Sequence, residues 1–333
     1  MVAIELMAVT IRDVAAHAGL CPATVFRYLN GAQLREQNRL KIERAIQALG
    51  FKADVLTIAF VVSDLADVFT MSIVKTIVRC LVKENYTITI SEFESDEQLL
   101  EERLRFFQNR AISGLILFPA TKTGECSAIL QEYLDDRIPV VFVDETLRGF
   151  TTDTVVVDNA HASFRAVEQL IQANHRQIAI LNGRPHSWVS QERLRGYLEA
   201  MQTYDLVPEA QWSKWGDFSL AGGYAAVKAI FQAAPRPTAI YSTNYHMSLG
   251  AAAALNELQI KVPDEISFVG FDHFSELDVI RPALTLIEQP LEKIGEAAAE
   301  LMLKRIRGDY ADFPQKVELK TKLLLRDSVR KIE

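Results

Sequence analysis

The stretch Thr10-Ile11-Arg12-Asp13-Val14-Ala15-Ala16-His17-Ala18-Gly19-Leu20-Cys21-Pro22-Ala23-Thr24-Val25-Phe26-Arg27-Tyr28-Leu29-Asn30-Gly31 reads as two short helices joined by a tight turn. Thr10 and Asp13 have the spacing of a capping box, and Gly19 stops the first helix. Pro22 suits the first position of a second helix, where its missing N–H costs nothing, and Asn30-Gly31 ends that helix after Leu29. Val14, Ala18, Val25 and Leu29 are expected to pack between the two. A third segment, Arg35 to Leu49, carries Ile42, Ala45, Ile46 and Leu49 at helical spacing and closes with Gly50, completing a three-helix core. This is the layout of a helix-turn-helix, so sequence-specific contact with duplex DNA is the leading expectation.

Two motifs, Thr10-Ile11-x-Asp13-Val14-Ala15-x-x-Ala18-Gly19 and Thr24-Val25-x-Arg27-x-Leu29-Asn30, resemble the headpiece of the lactose-repressor (LacI/GalR) family of bacterial transcriptional regulators. The resemblance implies that the second helix enters the major groove, with Pro22 and Ala23 at the base-reading positions and Phe26 and Arg27 nearby. Pro22 and Ala23 have no hydrogen-bonding side chain, so their readout would be apolar, for example against a thymine methyl. Arg27 reaches a base or a phosphate, while Thr10, Thr24 and Asn30 are placed for phosphate contacts that fix register. The family usually has hydroxyl residues where this chain has Cys21 and Phe26. Cys21 is a poor N-cap, at a cost of order 1 kcal/mol relative to Ser, and Phe26 either packs inward or stands against the DNA backbone.

A chain of 333 residues with 49% hydrophobic content suits one small module and a larger body. The formal net charge is −7, but residues 1–52 hold seven Lys+Arg against four Asp+Glu, so a basic head sits on an acidic body. That division directs DNA to one end of the molecule. Cys21, Cys80 and Cys126 are odd in number and lack C-x-x-C spacing, so neither a disulfide framework nor a metal site is indicated, and a reduced cytosol fits. The first residues carry no basic signal-peptide region, and no apolar run approaches a bilayer span, so the expectation is a cytoplasmic, nucleoid-associated protein without membrane contact.

From Thr57 onward, short β-branched runs alternate with amphipathic helical stretches, beginning with Thr57–Val62 and a helix near Phe69 to Lys83. The clearest buried strands are expected at Tyr86–Ile90, Gly114–Phe118, Pro139–Val143, Gln177–Leu181, Thr238–Ser242 and Ile266–Gly270. This cadence implies parallel sheets wrapped by helices, with ligands outside the carboxyl ends of the strands. The family resemblance continues through Val157-Asp158-Asn159, His175-Arg176-x-Ile178-Ala179, Arg193-x-x-Gly196-Tyr197, Pro237-Thr238-Ala239-Ile240, Val262-Pro263-x-x-Ile266-Ser267, Gly270-Phe271-Asp272 and Gln289-Pro290. It implies an α/β, two-lobed, periplasmic-binding-protein-like body of doubly wound parallel sheets, carrying the small all-α headpiece and dimerising so that two headpieces meet a near-palindromic operator. The expected divisions are a headpiece at 1–52, a linker at 53–56 and an effector-binding and dimerisation domain at 57–333. Lobe one would take about 57–158 and 290–318, and lobe two about 159–289 and 319–328.

Matched position by position, the resemblance places Asp67, Phe69, Thr70, His161, Arg193, Phe218, Asn244, His246, Asp272 and Gln289 around an effector cleft. Carboxylates, amides and a guanidinium suit the hydroxyls of a sugar or sugar derivative, while Phe69, Phe218 and Trp188 offer faces for ring carbons. Structural alternatives stand beside each. Arg193 also fits a surface ion pair, Asp272 and Asn244 fit helix or loop ends, His161 and His246 fit satisfied loop histidines, Phe69 and Phe218 fit core, and Gln289 fits a crossover brace. Asp67, Glu145 and Tyr245 stand where relatives usually carry Asn, Arg and Asp, so specificity has shifted and ligand charge stays open.

After Leu49-Gly50-Phe51 only Lys52-Ala53-Asp54-Val55-Leu56 precedes the first body strand, where the family normally has a hinge segment. That leaves no room for a hinge helix, and so no minor-groove wedge that kinks the operator. The expected protein is a DNA-binding regulator, most simply a repressor, controlled allosterically by a carbohydrate-like effector. The alternatives are a regulator with a degenerate effector pocket and a cytoplasmic solute-binding protein. No nucleophile elbow, P-loop or zinc-protease motif occurs, so neither catalysis nor a cofactor is expected.

Overall fold

A computed structural model describes residues 11–29, 33–49, 51, 56–110, 112–121, 128–232 and 234–333. It divides into two compact units. One takes in the described residues through Val155 together with Leu291–Val317; the other comprises Val156–Pro290 and Glu318–Glu333.

The first unit opens with three helices, α1 (Ile11–Ala18), α2 (Pro22–Leu29) and α3 (Glu36–Leu49). Gly19 adopts φ +65°, the left-handed conformation that ends α1, and the Leu20 N–H closes back on the Ala15 carbonyl at 3.0 Å. Val14, Ala15, Ala18, Val25, Ile42, Ala45 and Phe51 form the three-helix core, with Leu29, Ile46 and Leu49 partly buried around it. The helix limits and packing residues read from sequence agree with this arrangement because Gly19 and Pro22 fix both sides of the turn. Thr10, Asn30, Gly31 and Gly50, invoked as cap and stop signals, lie outside the described residues.

The rest of this unit carries β1 (Thr57–Val62), α4 (Val68–Lys83), β2 (Thr87–Glu92), α5 (Glu97–Gln108), β3 (Ile112–Leu117), α6 (Ala128–Asp135), β4 (Val140–Val143) and β5 (Asp153–Val157). In the second unit come α7 (Asn159–Gln172), β6 (Ile178–Asn182), α8 (Trp188–Thr203), β7 (Ser213–Trp215), α9 (Leu220–Gln232), β8 (Ala239–Ser242), α10 (Tyr245–Glu257), β9 (Ser267–Phe271) and β10 (Thr285–Glu288). Helix α11 (Leu291–Ile306), β11 (Lys316–Leu319) and β12 (Lys322–Leu324) complete the chain. One sheet has the order β11-β5-β4-β3-β1-β2, the other β12-β10-β9-β8-β6-β7. Their central strands run parallel, and β12 joins β10 antiparallel.

β1, β3, β4, β6, β8 and β9 are buried almost throughout, as strands covered by helices on both faces must be. β2 departs from the expectation of a buried strand at Tyr86–Ile90. It forms the end of its sheet, and Thr87, Thr89 and Ile90 are exposed, because its only ladder partner is β1.

A bidentate ion pair anchors the lower part of the first unit. Arg305 Nε donates to Asp153 Oδ2 at 2.6 Å and Nη2 to Oδ1 at 3.0 Å, with both side chains almost wholly buried. The Gln315 N–H also donates to Asp153 Oδ1 at 2.7 Å, and Arg305 Nη1 reaches the Asp309 carbonyl and Asp312. Removing one partner strands a desolvated charge. Asp153→Ala is therefore expected to destabilise the first unit by about 3–5 kcal/mol, seen as a lowered urea midpoint. The paired apolar replacement Asp153→Leu/Arg305→Met is expected to recover most of that loss; equal loss in both variants would contradict the account.

Candidate DNA-reading helix and effector site

The head presents α2 with Arg27 exposed, Pro22 and Thr24 half-buried, and Ala23 and Phe26 buried. Cys21 does more at the N-terminus than its residue type suggests. Its carbonyl accepts the Thr24 N–H at 2.9 Å, and its sulfur lies 3.1 Å from the Thr24 hydroxyl. The Thr24 hydroxyl, and then the Thr24 backbone N–H, hold the exposed Cys21 thiol below its ordinary pKa. The thiol thus stands in part for the missing cap oxygen. Phe26 is not in the head's own core; it joins the cluster formed by Leu104, Phe107, Ile129, Leu130 and Tyr133 beneath the first sheet.

In the second unit, polar groups gather beyond the carboxyl ends of β6, β8, β9 and β10. Gly196 on α8 sets the geometry: a Cβ there would lie 2.0 Å from the Ala160 carbonyl oxygen, so only glycine lets α8 approach α7 this closely. One turn earlier, Arg193 is 3% exposed. Its Nε donates to Asn159 Oδ1 at 2.8 Å, Nη1 donates to the Thr243 carbonyl, and its guanidinium carbon lies 3.7 Å from the centre of the Phe271 ring. Among the described residues it has no carboxylate partner. A buried cation held only by neutral groups keeps a strong attraction for electron-rich ligand atoms.

Asp272, after β9, sits at φ +69°, a strained position for a non-glycine residue. Its carboxylate accepts from Gln289 Nε2 at 2.6 Å and from the Tyr245 N–H at 3.3 Å. Phe218 is also left-handed, at φ +68°, and its ring lies where a Cβ on Gly183 would meet it at 2.0 Å. Among the described residues, four buried polar atoms of this unit, Asn182 Oδ1, Ser190 Oγ, Thr243 Oγ1 and Gln289 Oε1, have no hydrogen-bond partner. Orphaned acceptors and hydroxyls at strand ends fit a ligand rich in hydroxyl groups.

A model of the periplasmic binding protein-like domain matches residues 167–329. Over 332 residues the chain is 27% identical to the HTH-type transcriptional repressor PurR of Yersinia enterocolitica, with 96% of each chain covered. The transcriptional regulator CelR, solved as a cellobiose complex, superposes with a TM-score of 0.76 at 27% identity, covering 96% of this chain and 99% of that one. Over nearly its whole length this chain is similar to LacI-family transcriptional regulators. A putative transcriptional regulator LacI from Bacillus cereus subsp. cytotoxis superposes with a TM-score of 0.75 at 25% identity over 83% of this chain and 99% of its own. These relatives are named as transcriptional repressors or regulators, not as enzymes.

Against that family background, the residues singled out by sequence fall into distinct groups. Arg193, Asp272, Gln289 and Phe218 lie on the second unit's strand-end surface described above. Asn244 is committed to structure: its Oδ1 caps α10 through the Met247 N–H at 2.9 Å, and its Nδ2 braces the Phe218 carbonyl at 3.3 Å. His246 is half-buried with its ring 4.9 Å from that of Tyr245, and His161 is exposed on the first turn of α7. In the first unit, Asp67 caps α4, its Oδ2 accepting from the Thr70 N–H at 3.0 Å and the Thr70 hydroxyl at 2.6 Å, with Phe69 half-buried between them. Sequence reasoning did not select Asn159, Asn182, Ser190 or Thr243. Asn182 and Thr243 end or follow strands, which is the signal that would have found them; Ser190, inside α8, carries no such signal.

The lowered Cys21 pKa yields a direct check. In a variant whose other two cysteines are replaced by alanine, the rate of alkylation by iodoacetamide should rise through a midpoint below that of a free thiol, because the thiolate forms at lower pH. Thr24→Val should move that midpoint up; an unchanged midpoint would remove the Thr24 contact from the account.

Proposed function

We propose that this regulator is a repressor that grips a near-palindromic operator as a homodimer, and that a sugar or sugar derivative bound at the second unit's strand ends resets its affinity for DNA. In this reading Pro22, Ala23 and Arg27 face base edges, Thr24 contacts phosphate, and Thr10 and Asn30, outside the described residues, contribute backbone contacts. The protein works in the cytoplasm, on the nucleoid.

The observation that carries the effector reading is buried Arg193 without a carboxylate, next to Asp272–Gln289 and the orphaned oxygens of Asn182, Ser190 and Thr243. Hydroxyls both donate and accept, so a polyol satisfies guanidinium, carboxylate and unpaired oxygens at once, with Phe218 as an apolar wall. CelR is solved with cellobiose, which makes a disaccharide a natural first probe. At a hundred times its dissociation constant a native-state ligand adds about 2.7 kcal/mol of stability. A panel of monosaccharides, disaccharides and sugar phosphates should therefore contain at least one member that raises Tm in proportion to its concentration. Arg193→Lys, which keeps the charge and loses the fork, should weaken that shift at least tenfold in concentration. A panel that leaves Tm unmoved would sink the sugar reading while leaving DNA binding intact.

We also propose that operator binding proceeds without a hinge helix. Helix α3 ends at Leu49 and β1 begins at Thr57. Residues 52–55 lie outside the described residues, and the whole connection is seven residues, 50–56. Two helical turns would consume the whole connection. Gel-phasing of an operator bound by the full-length protein should show much less bending than a minor-groove wedge produces; a sharp central kink would overturn this.

A further inference from the structure

The face of α2 read as DNA-facing is not free in this structure. Ala23 and Phe26, one turn apart, are 8% and 5% exposed. Phe26 belongs to the buried cluster of the first unit's body that includes Leu104, Phe107 and Tyr133, and Ile11 on α1 packs against both that cluster and the head's own core. Arg12, also on α1, donates from Nη2 to Asp136 Oδ2 at 2.8 Å, with Glu132 Oε2 at 3.9 Å. Gln108 Nε2 holds Glu132 in place at 2.8 Å. Beside these contacts Arg27 lines a cavity of about 540 Å³ whose far walls include Leu134, Ile138 and Phe313.

We propose that the body surface formed by α6, with the end of α5 beneath it, is a docking site for this chain's own DNA-reading helix, and that the docked and DNA-bound positions of the head exclude each other. The occupant is specified by what already sits there: an aromatic ring in an apolar cluster, flanked by a basic residue of the head against Glu132 of α6 and Asp136 just after it. A duplex read by α2 needs the face on which Ala23 is buried and from which Phe26 enters the body's cluster, so DNA can bind only after that face is released. Phe26 explains the preference. A phenyl ring offers a phosphate no hydrogen bond, but it gains from burial under α6. The cavity lined by Phe26 and Arg27 together with body residues leaves the contact incompletely filled, which suits a reversible attachment rather than a permanent one.

The inference rests on reading α2 as the DNA helix, and its test separates the two claims. If docking is favoured by ten to one, the apparent DNA affinity is about tenfold weaker than that of the freed head. The body-side variants Leu134→Gln and Asp136→Arg, singly and together in the full-length protein, should let the head tumble on its own, seen as sharpened head amide signals in NMR spectra of deuterated protein. They should also tighten binding to duplex DNA, by about tenfold when combined. The exchange Arg12→Asp with Asp136→Arg should restore the broad, body-coupled signals. Head signals that are already sharp in the parent protein, or that stay coupled in both body-side variants, would overturn docking. Freed heads with unchanged DNA affinity would overturn mutual exclusion. Freed heads in a protein that retains no duplex at any salt concentration would overturn the DNA reading and leave docking standing.

Discussion

The close approach of α8 to α7 is the constraint on which the second unit's chemistry depends. With no Cβ at Gly196, the helices meet at the Ala160 carbonyl, and Arg193 is carried below the surface onto Asn159, the Thr243 carbonyl and the Phe271 ring. Burying a guanidinium without a counter-charge is costly, and the cost is tolerable only because hydrogen bonds and an aromatic face remain in contact with it. The surrounding strain has the same direction. Asp272 and Phe218 both hold left-handed backbones, and Asp272 directly follows Phe271, over whose ring the Arg193 guanidinium lies.

The head obeys a different economy. Its core is a handful of small and branched residues around Val14, Val25 and Ile42, enough to define three helices but little more. Phe26 stands outside that core, so its burial binds the head to the body without contributing to the head's own packing. The charge division read from composition has a local counterpart here: basic Arg12 on the head faces acidic Asp136 and Glu132 on the body. The same asymmetry that favours DNA at one end of the chain therefore also supplies a competitor for it.

Much of the architecture was legible because punctuation and period agreed. Gly19 and Pro22 set the helix-turn-helix limits, and β-branched runs set the central strands, Thr57–Val62 to the residue and the others within one or two residues. What sequence could not supply was order within the sheet. The Thr87–Glu92 run has a buried strand's composition but lies at a sheet end, and position in the ladder is a long-range property that no local window contains. The short strands β7, β11 and β12, three or four residues each, fall below any periodic signal. In the candidate site, Arg193, Asp272 and Gln289 were visible through family motifs and strand ends. Asn244 and Asp67 looked alike on the page, yet their side chains are turned to helix capping, because the first free N–H groups of α10 and α4 claim them. Which use a cap-competent side chain serves depends on backbone direction after it, and sequence does not carry that.

The regulatory problem reduces to differential affinity. Arg193 and Asp272 belong to one unit, while the head and its docking surface belong to the other, with chain crossings at 155–156, 290–291 and 317–318. Two of the segments leading to those crossings are tied together on the head's side by Asp153 and Arg305, and both of these residues line the cavity beside Arg27. Position alone transmits nothing: a ligand shifts DNA affinity only to the extent that it binds the docked and released forms unequally. For a coupling of about 1–3 kcal/mol, DNA affinity changes by roughly 5- to 150-fold, and the ligand's own affinity must change by the same factor when DNA is bound. A head that docks tenfold in favour of the body limits how far release alone can raise DNA affinity to that same tenfold. In the proposed dimer, any larger response has to come from geometry between the two heads, which only seven residues separate from β1 in each chain.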